Sequence, residues 1–198
     1  MSEIGILSMQ RIKNYGSFLQ AYGLKKLIEE QGHNVQFVDY HIDEPIIEDK
    51  DNVNNDKISK VLKTFEGNAT IVQKIQYIIH KKNFGKKYYP LLELTNEPNY
   101  NPKLDTLVIG SDEVFNCIQA NKNVGYSLEL FGKNNNANRL ITYAASFGNT
   151  TIEKLKKYNK KDEIAELLNK FDRISARDNN TGKIIEEISN QKVIYNLD

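Results

Sequence analysis

Short apolar runs that each stop at a turn of small or polar residues recur along this chain and strongly constrain its fold. The clearest run, residues 106–109, is followed at once by Gly110, Ser111 and Asp112. A run of this length bounded by turn residues is typical of a buried β-strand. Amphipathic helical stretches separate several such runs, which lie at 4–8, 35–38, 139–144, 171–175 and 192–195. The alternation predicts an α/β fold, a Rossmann-like parallel sheet flanked by helices.

Polar residues that follow the central strand form the first part of a candidate site. Ligands of open parallel sheets bind at the carboxyl ends of the strands, where the loops after the strands gather. Gly110 would let the backbone turn and a ligand approach closely, while Ser111 offers a hydroxyl and Asp112 a carboxylate, with Asn116 nearby. Asp112 could equally cap a following helix.

The loop after the first strand leads into a helix that begins near Gly16. The start of a helix presents unpaired N–H groups and the positive end of the helix dipole, which predicts an anion site. Asn14, Tyr15, Ser17 and Gln20 could add hydrogen bonds to a ligand there. Capping by Asn14 or Ser17 is the alternative. This loop contains no G-x-G-x-x-G pattern, so the sequence gives no support for a dinucleotide-binding site.

Two later loops have the same design. Ser146, after the strand at 139–144, could bind a ligand through its hydroxyl and the adjacent N–H groups, or it could serve only a tight turn. Arg177 follows the next strand, and its guanidinium can hold a carboxylate or phosphate bidentately, with a surface salt bridge as the alternative. Asp178 is the predicted N-cap of the last helix.

Composition excludes several classes of protein. Lys and Arg number 27 against 26 Asp and Glu, so the basic excess of a nucleic-acid-binding domain is absent and we expect no nucleic-acid partner. The single cysteine, Cys117, provides no disulfide framework, and we expect it to be packed. No metal-ligand pattern is apparent. With neither a signal peptide nor a long apolar run, the sequence predicts a soluble cytoplasmic protein.

The middle of the chain, about 43–103, breaks the strand pattern. We interpret residues 1–198 as one domain with a helical insertion there. Apolar residues at helical spacing predict two inserted helices, one with Ile58, Val61, Leu62 and Phe65 and one with Ile71, Ile75, Ile78 and Ile79. The basic, aromatic segment 80–89 is interpreted as a solvated helix end, with contact to an anionic acceptor or a membrane surface as the alternative.

Four stretches together resemble the polysaccharide pyruvyl transferase family. They occur in the family's order over most of the chain: Asn14-Tyr-Gly-Ser-Phe-Leu-Gln-Ala-Tyr-Gly-Leu24, Val108-Ile-Gly-Ser-Asp-Glu-Val-Phe-Asn116, Thr142-Tyr-Ala-Ala-Ser-Phe-Gly148 and Ile174-Ser-Ala-Arg-Asp178. The resemblance implies two Rossmann-like domains facing a cleft, a GT-B-like fold of which this chain would be the N-terminal domain.

The resemblance also implies a reaction. Family members move the enolpyruvyl unit of phosphoenolpyruvate onto two hydroxyls of a sugar, forming a pyruvate ketal and releasing phosphate. Phosphoenolpyruvate is the donor substrate, so no cofactor is expected. The acceptor is typically a surface polysaccharide or its lipid-linked precursor, which would allow peripheral membrane contact. Asp112 becomes the expected base or acceptor-orienting carboxylate, and Arg177 and the helix start at Gly16 and Ser17 become the anion candidates.

The chain departs from the family pattern at several positions. Glu113 and Phe115 stand where the family commonly has Gln and Trp, so the sugar specificity could differ. The family's next motif leads into the second domain, whereas this chain ends at Asp198. We therefore expect an N-terminal half that is inactive alone, with the general acid on the other half. A nucleotide-sugar-binding domain of a glycosyltransferase and a non-catalytic interaction domain are the alternatives.

Overall fold

The computed structural model describes residues 1–47 and 70–197, which form a six-stranded parallel sheet flanked by helices. The strands are β1 (Glu3–Leu7), β2 (Asn34–Phe37), β3 (Lys103–Asp112), β4 (Asn136–Ala145), β5 (Ile174–Ala176) and β6 (Val193–Tyr195). The helices are α1 (Tyr15–Glu30), α2 (Ile71–Tyr88), α3 (Ile152–Lys157), α4 (Lys161–Leu168) and α5 (Asn179–Ile188), with 3-10 turns at Tyr89–Leu92 and Leu128–Phe131. The predicted Rossmann-like α/β class is confirmed.

The order of the strands reverses between β1 and β3. The sheet runs β2-β1-β3-β4-β5-β6, so the chain moves outward from β1 to β2 and then returns past β1 to begin β3. Every paired neighbour is parallel, and Leu7 of β1 lies beside Ile109 of β3. The crevice beside such a reversal is where open α/β sheets bind ligands.

Two apolar clusters cover the two faces of the sheet. In β3, Leu107 and Ile109 belong to one cluster and Val108 to the other, because successive side chains of a strand point to opposite faces. The first cluster takes in the apolar residues of α4 and α5. The second takes in Phe18, Ala21 and Leu24 of α1 together with Phe84 and Leu92. The sheet therefore holds its carboxyl edge between two packed layers.

Helix α2 packs differently from what its apolar pattern suggests. The predicted helix is present, but Val72, Ile75 and Ile79 are 52–63% exposed. The helix is held instead through Phe84, which is 2% exposed, and Tyr88, whose ring centroid lies 4.9 Å from that of Phe18. The other predicted inserted helix, with Ile58, Val61, Leu62 and Phe65, lies outside the described residues.

Other elements differ in length rather than in kind. The central strand extends over ten residues, well beyond its apolar run. The amphipathic stretch before the apolar run at 171–175 is α4, and Phe171 lies between α4 and β5 as a buried residue of the loop. Residues 113–127 form a loop, with the 3-10 turn after it. The length of a strand and the order of a loop depend on contacts with distant residues, which the local spacing of apolar residues does not reveal.

Gly110 offers a test of the packing between β3 and β4. Its φ is +126°, and a Cβ atom there would lie 2.1 Å from the backbone oxygen of Tyr143. We expect Gly110→Ala to lower the free energy of unfolding by at least about 2 kcal/mol, since strain and overlap with backbone combine.

Gly23 in α1 is the matched control, because a Cβ atom there would meet no neighbour within 4 Å. Gly23→Ala should raise the free energy of unfolding by about 0.5–1 kcal/mol. Urea unfolding followed by circular dichroism measures both. Unchanged stability of Gly110→Ala would contradict the packing described for β3 and β4.

Candidate active site

The carboxylate of Asp112 joins the end of β3 to the start of α1. Ser17 Oγ donates a hydrogen bond to Asp112 Oδ2 at 2.7 Å, and the backbone N–H of Glu113 donates to Oδ1 at 2.9 Å. The Asp112 side chain is 20% exposed. A carboxylate accepts about four hydrogen bonds, so these two orient Asp112 and leave capacity for a donor group of a ligand.

Asp112, Glu113 and Arg177 form a charged group at the carboxyl edge of the sheet, which we call the edge cluster. Arg177 Nη2 lies 3.8 Å from Asp112 Oδ1 and 3.9 Å from Glu113 Oε1. Asn116 Nδ2 donates to Glu113 Oε2 at 2.9 Å. Sequence reasoning missed Glu113 as a site residue, although its place directly after Asp112 was a signal. Two carboxylates around one guanidinium favour hydrogen-bond donors, such as sugar hydroxyls, over anions.

The start of α1 is held by its own loop and by aromatic neighbours. Asn14 is the N-cap, and its side chain accepts from the backbone N–H of Gly16 at 2.9 Å. The hydroxyls of Tyr15 and Tyr88 lie 3.1 Å apart, and the ring of Tyr15 stacks on that of His80. These contacts are structural, and the ligand roles of Asn14, Tyr15 and Gly16 stay predictions.

Three further predicted site residues, two at the end of β3 and one in α1, have surroundings that do not require a ligand. Ser111 is 1% exposed, and its carbonyl accepts from Ser8 Oγ at 3.2 Å. Gly110 lies against the backbone of β4, which accounts for the glycine without a ligand. Gln20 is partly buried, in the second turn of α1. Binding by these three residues stays a prediction.

Asn116 and Ser146 tie the surrounding loops together. Asn116 Oδ1 accepts from Thr150 Oγ1 at 3.1 Å and from the backbone N–H of Ile118 at 3.2 Å. Ser146 Oγ donates to Asp178 Oδ2 at 2.7 Å and accepts from the Gly148 N–H at 3.0 Å. These bonds hold the loops after β3 and β4 in place beside the edge cluster.

Asp178 is the N-cap of α5, as predicted. Its Oδ1 accepts from the backbone N–H of Thr181 at 2.8 Å. Burial by itself would raise the pKa of Asp178, but hydrogen bonds from Thr181 and Ser146 and the charge of Arg177 outweigh it, and the pKa is lowered. Asp178 therefore stays ionised at neutral pH and can accept hydrogen bonds as the N-cap of α5.

A cavity of about 480 Å³ opens beyond the carboxyl ends of β1 and β2, and we call it the basic cavity. Lys13 and Lys81 line it, as does Arg11, whose Nε and Nη2 pair with the carboxylate of Asp39 at 2.6 and 2.8 Å. Ser8 also lines it and bonds the Ser111 carbonyl, so the cavity adjoins the edge cluster. Sequence reasoning missed this cavity, although the basic segment 80–89 was a signal.

The described residues give no support for a reactive cysteine, a metal site or a membrane-spanning helix. Cys117 is buried, its Sγ lies 3.4 Å from the Phe115 carbonyl, and burial raises the pKa of its thiol. In residues 1–47 and 70–197, His, Cys, Asp and Glu side chains form no group of three or more that could hold a metal ion. Over the same ranges, no helix has the length and apolar character needed to cross a membrane.

The fold and this edge define an α/β protein of the Rossmann-like class whose polar side chains collect where the strand order reverses. Within that class, a family model for polysaccharide pyruvyl transferase matches residues 14–198. The chain therefore belongs to the polysaccharide pyruvyl transferase family, as its four sequence stretches indicated. Comparisons with curated proteins and with solved structures return no match.

The cap at Asp178 predicts a stability that depends on pH. Asp178→Ala should lower the free energy of unfolding by about 1 kcal/mol at neutral pH, the usual cost of losing an N-cap. Because the folded-state pKa lies below the ordinary 3.8, the carboxylate's contribution is complete above that value and is lost as the pH falls through the lower folded-state pKa.

Urea unfolding of the protein and the variant at neutral pH and at about pH 3 tests this sign. The difference between them should shrink at the lower pH, and Asp178→Asn, which keeps an acceptor oxygen, should lie between them. A difference that widens on acidification would contradict the lowered pKa.

Proposed function

We propose that this protein transfers the enolpyruvyl group of phosphoenolpyruvate to two hydroxyls of a sugar in a surface polysaccharide or its precursor, forming a pyruvate ketal. Membership of the family supports the reaction class. The observation that carries the proposal is the 2.7 Å hydrogen bond from Ser17 to Asp112, which orients a partly exposed carboxylate beside the strand reversal.

The reaction needs a group that accepts protons from the sugar. Two hydroxyls add in turn to the substituted carbon of the enol and each loses a proton. The methylene gains one proton and becomes a methyl group, and phosphate leaves with the other. We assign the acceptance of a hydroxyl proton to Asp112, where general-base catalysis contributes about 10²–10⁴ in rate. We also propose that the general acid comes from a second domain facing this edge in a GT-B-like arrangement.

The charges suggest where each substrate binds. The edge cluster combines two carboxylates with Arg177, so a neutral sugar whose hydroxyls donate hydrogen bonds suits it better than an anion does. The donor carries a phosphate and a carboxylate and needs cations. Lys13 and Lys81 in the adjoining basic cavity supply them. The geometry thus favours the cavity over Arg177, the cation that sequence reasoning proposed for the donor.

Asp112→Asn tests the assignment of the base. The amide keeps the size and one acceptor oxygen but does not take up the proton, so kcat should fall about 10²–10⁴-fold. Phosphate released from phosphoenolpyruvate by the full-length protein, with a panel of glycan acceptors, measures the rate.

Asp105→Asn is the matched control, since Asp105 lies exposed in the amino-terminal half of the same strand and accepts a hydrogen bond from the Glu3 N–H. It should leave kcat unchanged. Equal rates for Asp112→Asn and the unaltered protein would exclude Asp112 as the base.

Lys81→Gln tests the donor site. Loss of the cation should raise the KM for phosphoenolpyruvate and reduce thermal stabilisation by it, with a smaller effect on kcat. Lys81 Nζ donates to the backbone carbonyl of Lys13. Lys154→Gln is the control, because Lys154 donates in the same way to the carbonyl of Asn149 but lies outside the cavity lining.

The same thermal measurement separates the alternatives. Stabilisation by a nucleoside diphosphate and not by phosphoenolpyruvate would favour a nucleotide-sugar-binding domain. No response to either ligand from the full-length protein would favour a non-catalytic domain.

A further inference from the structure

One face of α2 carries exposed apolar side chains followed by exposed lysines. Val72, Ile75, Ile79, Lys82 and Lys86 recur at three- and four-residue steps, so they share one face of the helix, which we call the outward stripe. The three apolar members are 63%, 52% and 52% exposed, and both lysines are exposed. Among residues 1–47 and 70–197, the stripe therefore takes no part in either apolar cluster that covers the sheet.

The opposite side of α2 is the one that holds the helix to the sheet. Phe84 is buried, and its ring centroid lies 5.6 Å from that of Tyr15 in α1. Tyr88 packs on Phe18 of the same helix. Because these aromatic contacts fix the rotation of α2 about its axis, the outward stripe faces away from the layer that packs on the sheet.

The charged residues of α2 itself have one sign. Residues 71–88 contain five lysines and no aspartate or glutamate, although the whole chain is nearly neutral. Ile78, which flanks the stripe, is 43% exposed. Apolar side chains beside lysines on a helix are the features of a helix that lies in a lipid interface.

We propose that the outward stripe docks α2 onto an anionic lipid surface. The isoleucines and the valine enter the boundary between headgroups and acyl chains, and the lysines stay among the anionic headgroups. A nucleic acid would pair with the lysines but leave the apolar residues in water. A second copy would bring two sets of lysines, with no acid among them, into one interface.

Docking through α2 has a consequence for the candidate site. Lys81 of the same helix lines the basic cavity on another side of α2. A lipid surface docked on the stripe would therefore lie close to the cavity but would leave it open. This proposal does not depend on the reaction assigned above.

Co-sedimentation of the purified protein with vesicles tests the docking. Vesicles of phosphatidylcholine with phosphatidylglycerol should bind the protein, and vesicles of phosphatidylcholine alone should bind it much more weakly. The double variants Ile75→Gln with Ile79→Gln and Lys82→Glu with Lys86→Glu should each lower the partition coefficient about tenfold or more.

The controls carry changes of the same kind elsewhere. Leu27→Gln removes a leucine of α1 that is 54% exposed, and Lys156→Glu with Lys157→Glu reverses two exposed lysines of α3. Each should stay within about twofold of the unaltered protein, because none of these three residues lies on the stripe. Thermal stabilisation by phosphoenolpyruvate should be the same in all stripe variants, which separates this test from that of the reaction.

Several results would overturn the proposal. Equal vesicle binding by the stripe variants and the unaltered protein would do so, as would no binding to anionic vesicles. Dimerisation in sedimentation velocity that the isoleucine variant abolishes would assign the stripe to a second copy. Binding of an oligonucleotide in preference to vesicles would assign it to nucleic acid. A lower unfolding temperature of the isoleucine variant, without a change in vesicle binding, would mean that the stripe is covered within the chain.

Discussion

The hydrogen bond from Ser17 to Asp112 is the contact on which the candidate site depends. It links the first turn of α1 to the end of β3, two positions separated by 95 residues. The bond is possible only because the strand order reverses between β1 and β3, which leaves the two carboxyl ends side by side. Ser8 reinforces the junction by donating to the Ser111 carbonyl at 3.2 Å.

Local charge governs this edge although the net charge of the chain is only +1. Asp112, Glu113 and Arg177 place two negative charges and one positive charge within about 4 Å. The neighbouring cavity is lined by Lys13 and Lys81, while the Arg11 charge is balanced by Asp39. In the proposed reaction, the acidic part would bind the sugar and the basic part the anionic donor, so that the two substrates face each other as transfer between them requires.

Helix α2 shows how one element can serve two surroundings. Its aromatic residues pack on α1 and fix its orientation, while the outward stripe, with Lys82 and Lys86, faces away from that packing. Large exposed apolar side chains grouped on one face are uncommon on the surface of a monomer and mark an interaction surface. Lys81 of the same helix lines the basic cavity, so α2 carries residues of both the outward stripe and the cavity.

Features encoded over a few residues could be read from the sequence. The parallel α/β class, the N-cap at Asp178 and the position of Asp112 at the carboxyl edge all follow from strand runs, turn residues and capping rules. The four stretches also identified the family that the comparison confirmed. Local patterns suffice for these features because they depend on neighbouring residues.

Tertiary structure decided which side chains meet and which faces are covered. The pairing of Ser17 with Asp112, the approach of Arg177 to Glu113 and the basic cavity each join segments far apart in sequence, so they depend on strand order and register. The spacing of Ile75 and Ile79 predicted a shared helix face but not its surroundings. Periodicity shows which residues lie together on a helix, whereas packing of distant elements, here Tyr15 and Phe18 on α2, determines which side is buried.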